Sequence, residues 1–114
     1  MSNVTELVEG LDAMLDHMRA DYAQWSDLGD DPNGTRARMT EEYSASLRYS
    51  MGKKYVKVTD GSSVKAFVVA CEDDKKFAYG DILKPAGWKT PARNFRRGNV
   101  LDRTFDRVRW TGAL

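Results

Sequence analysis

The sequence predicts a single α+β domain in which one long N-terminal helix packs on a small antiparallel β-sheet. Three observations indicate this fold class: a length of 114 residues, apolar residues at helical spacing over residues 3–27, and β-prone segments over residues 43–83. A chain of this length corresponds to one domain. Its content of 41% hydrophobic and 31% charged residues is typical of a globular protein and excludes a disordered chain.

The N-terminal helix is predicted over residues 3–27, where apolar residues recur at steps of three and four. Gly10 is a weak point in it, costing about 1 kcal/mol relative to alanine. The apolar stripe is broad, so packing in the core is the expected role. A homodimer formed through the helix is the alternative, and its seam would consist of Leu11, Met14, Met18 and Trp25.

A loop is predicted over residues 28–38, and the period of the apolar residues then changes to two. Tyr43 to Met51 alternate apolar and polar side chains, which is typical of a strand. A short helix beginning at Met39 is the alternative for the start of this segment. Gly52 shifts the phase, which predicts a bulge or bend before a second strand over residues 53–59.

Further strands complete the predicted sheet of four or five strands. Asp60-Gly61 indicates a hairpin turn between two β-prone runs. Residues 64–70 form the next strand, and residues 76–79 a third hairpin strand after a polar turn. A loop over residues 84–100 follows, and residues 101–114 close the domain either as a strand or as a helical turn.

Charge is distributed unevenly along the chain. Residues 1–50 contain four basic and ten acidic side chains, a net charge of −6, whereas residues 51–114 carry a net charge of +7. Between Ile82 and Leu101 there are five basic residues and no acidic residue. Such a segment attracts polyanions. The alternative is that the two halves neutralise each other within the fold.

The loop over residues 84–100 is therefore the candidate binding site, and nucleic acid is the expected partner. Basic side chains would contact phosphates, the two aromatic rings would stack on bases, and the two asparagines would contact base edges. The candidate residues are Lys84, Trp88, Lys89, Arg93, Asn94, Phe95, Arg96, Arg97 and Asn99. Five phosphate contacts predict a log–log salt slope of about −3.5 to −4.5. Alternatively, the aromatic rings plug the open end of the sheet and the arginines pair with the acidic helix.

No catalytic residues, metal ligands or cofactor-binding residues are predicted. His17 has no nucleophile partner in the sequence pattern, and Cys71 is expected to act as a small buried hydrophobe. One cysteine and one histidine do not make a zinc site. The chain lacks a secretion signal and any apolar run long enough for a membrane span, so a cytoplasmic location without membrane contact is expected.

The segment KKYVKV, followed by a hairpin and by FAYGDILKPAGWKTPARNFRRGN, resembles a family of small tailed-bacteriophage proteins of unknown function. The resemblance covers residues 53–102 and leaves the N-terminal helix outside. It implies a phage gene expressed in the cytoplasm of a bacterial host, and it implies no catalytic residue. A protein–protein interaction module is the alternative function, either as an inhibitor that modulates a host protein or as a structural or assembly component of the phage.

Overall fold

The computed structural model describes residues 4–26, 34–61 and 63–114. It confirms the predicted α+β class: helices α1 and α2 lie beside a five-stranded antiparallel sheet in the order β1-β2-β3-β4-β5, and β6 and β7 form a separate hairpin. The elements are α1 (Val4–Ser26), α2 (Thr35–Ser46), β1 (Leu47–Met51), β2 (Tyr55–Asp60), β3 (Ser63–Val69), β4 (Asp81–Leu83), β5 (Gly98–Asn99), β6 (Val108–Arg109) and β7 (Gly112–Ala113).

Helix α1 supplies much of the hydrophobic core. The apolar stripe predicted from the spacing points inward, and Leu11, Met14 and Met18 are completely buried. Gly10 is buried too, because α1 passes so close to the Val100 carbonyl that a Cβ at this position would lie 2.6 Å from its oxygen. Three of the four proposed seam residues thus belong to the core of this chain and are not exposed to a partner. The side chain of the fourth, Trp25, lies outside the described residues. The predicted end residues of the helix, 3 and 27, lie outside them as well.

The sheet has two different faces because successive residues of a strand point in opposite directions. Val56, Val68 and Ile82 are neighbours across β2, β3 and β4, and all three are completely buried beside α1. We call this the helix face. Lys57, Phe67 and Leu83 form the adjacent row on the opposite face, which we call the outer face.

Helix α2 corrects two predictions. Residues 35–38, predicted as loop, form its first turn after Gly34, and residues 43–46, predicted as strand, form its last turn. Tyr43 and Leu47 are buried, whereas Ala45 between them is exposed. Leu47 begins β1, so the predicted strand is confirmed only from this residue onward, and the apparent alternation runs across the boundary between α2 and β1. The rest of the predicted loop, residues 28–33, lies outside the described residues.

Of two further strand predictions, one is confirmed in part and one is wrong. The chain bends after Gly52 as predicted, because this residue belongs to the turn of the β1–β2 hairpin, in which Met51 pairs with Val56. No bulge occurs at Gly52, and the register shift lies instead at Val58/Thr59. Residues 76–79 form no strand. The Asp74 carboxylate accepts the backbone N–H groups of Lys76 and Phe77, each at 2.9 Å, so local side-chain bonds replace strand pairing there. The hairpin predicted at Gly61 is confirmed, with a φ of 61° at this glycine.

The β6–β7 hairpin closes the domain against both helices. The Tyr43 hydroxyl donates to the Trp110 carbonyl at 2.8 Å, and the Tyr22 and Tyr43 rings stack with centroids 4.5 Å apart. Nε2 of His17 in α1 lies 2.8 Å from the Val108 carbonyl of β6. The only histidine of the chain thereby has a structural contact that joins α1 to the hairpin.

Neither a membrane-spanning helix nor a metal-ligating cluster occurs among the described residues. None of the described helices is long and apolar enough to cross a membrane. The same residues contain no group of three or more His, Cys, Asp or Glu side chains that could hold a metal ion.

Candidate nucleic-acid interface

Trp88 lies at the tip of a small loop that is closed on itself. Pro85 and Pro91 form an isolated β-bridge at its base, and the amides of Ala86 and Gly87 donate to the Thr90 carbonyl at 2.8 and 3.0 Å. The Trp88 side chain is 47% exposed. The loop therefore presents a large aromatic ring to solvent from a backbone that is already ordered.

Arg93 is held on the outer face by a carboxylate from the neighbouring loop. Its guanidinium donates to both oxygens of Asp74, at 2.9 and 3.0 Å, and to the Tyr55 hydroxyl at 2.5 Å. The Asp74 side chain is only 1% exposed. Hydrogen bonds from Arg93 and from two backbone amides hold the pKa of this carboxyl well below its usual range. The bond to Asp74 raises the pKa of Arg93 in turn.

Arg96 and Asn99 are tied to a second buried carboxylate, that of Asp81. Arg96 forms an ion pair with it at 3.2 Å, and the Asn99 amide donates to it at 2.9 Å. The same Asn99 amide also donates to the Tyr79 carbonyl, while its oxygen accepts the Leu101 amide at 2.7 Å. Asn99 is buried and its polar groups are used within the fold, so it is not available to contact a base edge.

Arg97 is the most deeply buried of the basic candidates, with 6% of its surface exposed. It donates to the Leu114 carbonyl at 2.7 Å and to Oδ1 of Asn94 at 3.1 Å, and its guanidinium carbon lies 3.7 Å from the centroid of Phe95. Burial lowers the pKa of Arg97, and the nearby Arg107 lowers it further. Phe95 remains 46% exposed beside this stack.

Arg93, Arg96 and Arg97 thus all have partners within the fold, as the alternative interpretation expected, but these partners do not belong to the acidic helix α1. Two are paired with Asp74 and Asp81, which lie in the basic half of the sequence, and the third packs against the chain terminus. Of the nine candidate residues, the structure leaves Lys84 and Lys89 as exposed cations without an ion-pair or hydrogen-bond partner among the described residues.

A shallow groove of about 270 Å³ runs beside Trp88 on the outer face; we call it the outer groove. Its basic and aromatic lining consists of Lys53, Lys54, Tyr55, Lys57, Phe67 and Lys89. Nζ of Lys57 lies 4.3 Å from the centroid of the Trp88 ring, which places Trp88 at the rim of the groove. None of the four lysines has a carboxylate partner within the described part of the chain.

Lys53, Lys54 and Lys57 were missed as candidates because they precede the acid-free segment in the sequence. Their signal is the pattern KKYVKV, in which Tyr55 and Lys57 alternate with buried valines. This alternation places the aromatic ring and the cation on one face of a strand. Only the pairing of Lys57 with Phe67 and the fold of the Trp88 loop bring the two basic segments together.

The family of unknown function DUF7717 matches residues 2–114 of the chain. The chain belongs to this family. No curated protein and no solved structure matches it. The match includes the N-terminal helix. This helix lies outside residues 53–102, the segment on which the resemblance to phage proteins is based.

Three side chains near the site have perturbed or occupied reactive groups. Burial raises the pKa of the Cys71 thiol, and Asp73 raises it further, so this cysteine is mostly protonated at neutral pH. The carboxylates of Asp74 and Asp81 are occupied by arginines. What the site offers is positive charge and aromatic surface.

Proposed function

We propose that this protein is a non-enzymatic module that binds nucleic acid through the outer groove and Trp88. The observation that carries the proposal is the half-exposed Trp88 ring at the rim of a groove lined by four lysines without carboxylate partners in the described part of the chain. Such lysines attract phosphates, and the release of condensed counterions favours their contact. An exposed tryptophan stacks on any unpaired base, with a gain of about 1–3 kcal/mol per base.

The proposed binding residues differ from those predicted from the sequence. Lys89 and Trp88 remain, whereas Lys53, Lys54 and Lys57 replace Arg93, Arg96 and Arg97 as contacts to phosphates in the outer groove. The three arginines support the site indirectly, since their bonds to Asp74, Asp81 and the Leu114 carbonyl order the loop. A loop that is already ordered loses less conformational entropy on binding. Lys84, Asn94 and Phe95 stay as peripheral candidates.

We also propose that the ligand is single-stranded. The outer groove holds about 270 Å³, which suits individual bases more than a duplex. In a duplex, the faces of the bases are covered by their neighbours, so the Trp88 ring would have no partner to stack on.

The phage origin stays a proposal that is based on the sequence pattern over residues 53–102. In that setting the protein would act in the cytoplasm of the bacterial host. A nucleic-acid ligand would then be phage or host DNA or RNA, and its binding would modulate either the phage genome or host gene expression.

A protein partner is the second candidate, and a separate groove favours it. This groove of about 670 Å³ lies between the helices, β1 and the closing hairpin. Its lining combines the aromatic side chains of Tyr22, Tyr43 and Trp110 with the carboxylates of Glu42 and Asp60 and the single cation Arg48, a net charge of −1. Aromatic and charged groups of this kind are common at protein interfaces. The partner in this case would be a host or phage protein with a basic surface.

The test of the proposed function is a fluorescence anisotropy titration with a labelled 12-nucleotide oligo(dT) strand. The double variant Lys57→Ala/Lys89→Ala should bind about tenfold more weakly, because two surface charge contacts together contribute about 1–2 kcal/mol. Arg38→Ala/Arg48→Ala is the matched control, since it removes the same charge from exposed positions outside the outer groove.

Equal losses in both double variants would contradict the proposal, because binding would then depend only on net charge. Purification from infected cells with nuclease treatment distinguishes the two candidates. Loss of all partners after nuclease supports nucleic-acid binding, whereas a stoichiometric protein that remains supports the second candidate.

A further inference from the structure

A second cavity adjoins the outer groove and has a different character. It holds about 520 Å³, is more enclosed than the outer groove, and shares Lys53 and Lys54 with it. We call it the Arg93 pocket, because Arg93 forms part of its wall together with Cys71, Asp73, Asp74 and Lys75. Since the two cavities have two lysines in common, one extended ligand can occupy both.

The charge of the Arg93 pocket suits a dianion. Its lining contains four cations, Lys53, Lys54, Lys75 and Arg93, and two carboxylates, which leaves a net charge of +2. A phosphomonoester carries a charge of about −1.5 to −2 at pH 7. A phosphodiester within a strand carries a single negative charge and would neutralise only half of the excess.

Arg93 is oriented in advance of binding. The two hydrogen bonds to Asp74 and the one to Tyr55 use three of its five N–H groups. The guanidinium carbon also lies 4.9 Å from the centroid of the Phe77 ring. Nε and one hydrogen of Nη2 have no partner among the described residues. A guanidinium held in this way has donors for phosphate oxygens without a further loss of side-chain entropy.

The charge balance indicates which part of a strand enters. A phosphomonoester at the end of a strand can neutralise the excess of two positive charges, whereas an internal phosphodiester, with one negative charge, cannot. We propose that the Arg93 pocket binds the terminal phosphate of a nucleic-acid strand whose adjacent bases lie in the outer groove. This inference rests on the proposed function, since the outer groove must hold the strand.

The experiment compares three oligo(dT) strands of 12 nucleotides that carry an internal fluorophore: one with a 5′-phosphate, one with a 3′-phosphate and one with hydroxyl groups at both ends. The wild-type protein should bind one of the two phosphorylated strands about tenfold more tightly than the hydroxyl strand. The end that gives the gain identifies the polarity of the strand in the groove.

Two variants assign the gain to the pocket. Lys75→Ala should abolish it and leave the affinity for the hydroxyl strand unchanged, because Lys75 lines the Arg93 pocket and not the outer groove. Asp73→Asn should enlarge the gain, because it removes a negative charge from the same pocket. Both positions are exposed, so neither change is expected to prevent folding.

Three outcomes overturn the inference. Equal affinity for the three strands, with binding retained, contradicts the terminal-phosphate pocket and leaves the proposed function standing. A gain that persists in Lys75→Ala contradicts the assignment to this pocket. Failure of the wild-type protein to bind any of the strands overturns the proposed function and this inference together.

Discussion

On the helix face of the sheet, Val56, Val68 and Ile82 stand side by side across three strands and make no contact with solvent. One residue further along each strand, Lys57 and Phe67 occupy the outer face, where Lys57 contacts the half-exposed Trp88. The two rows belong to the same three strands. The outer face is not purely a ligand surface, since Phe67 and Leu83 are buried in a second, smaller core cluster with Val69 and Phe77. The difference teaches that the helix face is fully covered, whereas the outer face combines a small core with cations and an aromatic ring that remain accessible.

The largest effect is expected from a cavity on the helix face. Ile82→Ala should lower the free energy of unfolding by about 2–5 kcal/mol, because Ile82 is completely buried against α1 and its neighbours cannot fill the space. Urea denaturation followed by circular dichroism measures this change. Trp88→Ala is the matched comparison, and a similar loss of stability in it would remove the distinction between the two faces.

Gly10→Ala tests how closely the helix face is packed. Alanine is the better helix former by about 1 kcal/mol, but its Cβ would lie 2.6 Å from the Val100 carbonyl oxygen. Overpacking of this kind costs about 1–3 kcal/mol, so we expect a net loss of stability in urea denaturation. Glu9→Ala on the exposed side of the same turn should change stability by less than about 0.5 kcal/mol. A gain of stability in Gly10→Ala would show that the contact is not tight.

Trp88→Ala tests the outer face through binding. Loss of one stacked base should reduce the affinity for oligo(dT) by about 1–3 kcal/mol, which corresponds to about 5- to 150-fold, and should leave the unfolding midpoint nearly unchanged. Trp88→Phe should recover most of the affinity because it keeps an aromatic ring. If the alanine variant binds as tightly as the wild-type protein, Trp88 does not stack on the ligand.

Asp74→Asn tests how the outer face is held together, through the pH dependence of stability. The folded state lowers the pKa of Asp74, so its carboxylate stabilises the protein above the unfolded pKa of about 4. This stabilisation is lost progressively as the pH falls below that value. Urea denaturation at pH 7 and pH 3 should show a smaller decrease in Asp74→Asn than in the wild-type protein. An unchanged decrease would mean that the bonds between Arg93 and Asp74 do not contribute.

Local patterns were sufficient for much of the fold. The spacing of Leu11, Met14 and Met18 predicted which side of α1 is buried, and Asp60-Gly61 predicted the β2–β3 hairpin. Both signals depend on residues that lie close together in the sequence. The alternation over Tyr43–Met51 predicted a strand correctly from Leu47 onward, whereas Tyr43–Ser46 form the last turn of α2, where the Tyr43 ring packs on Tyr22 and Trp110.

The candidate site was less predictable because its chemistry depends on long-range pairing. The sequence indicated a basic, aromatic loop, but not that Arg93 would meet Asp74 or that Arg96 would meet Asp81. Nor could it indicate that Lys57 of β2 would lie over Trp88. Only the assembled strands separate the basic residues into two groups: three arginines with partners inside the fold, and lysines that have no carboxylate partner in the described part of the chain.

The salt dependence of oligonucleotide binding tests the central claim most directly, because it counts the phosphates that the protein contacts. If Lys53, Lys54, Lys57 and Lys89 each contact one phosphate of a single strand, a plot of log Kobs against log salt should have a slope of about −3. In Lys57→Ala/Lys89→Ala the slope should weaken by about 1.4. A slope near zero for the wild-type protein, or an unchanged slope in the double variant, would contradict the assignment of the outer groove as the binding site.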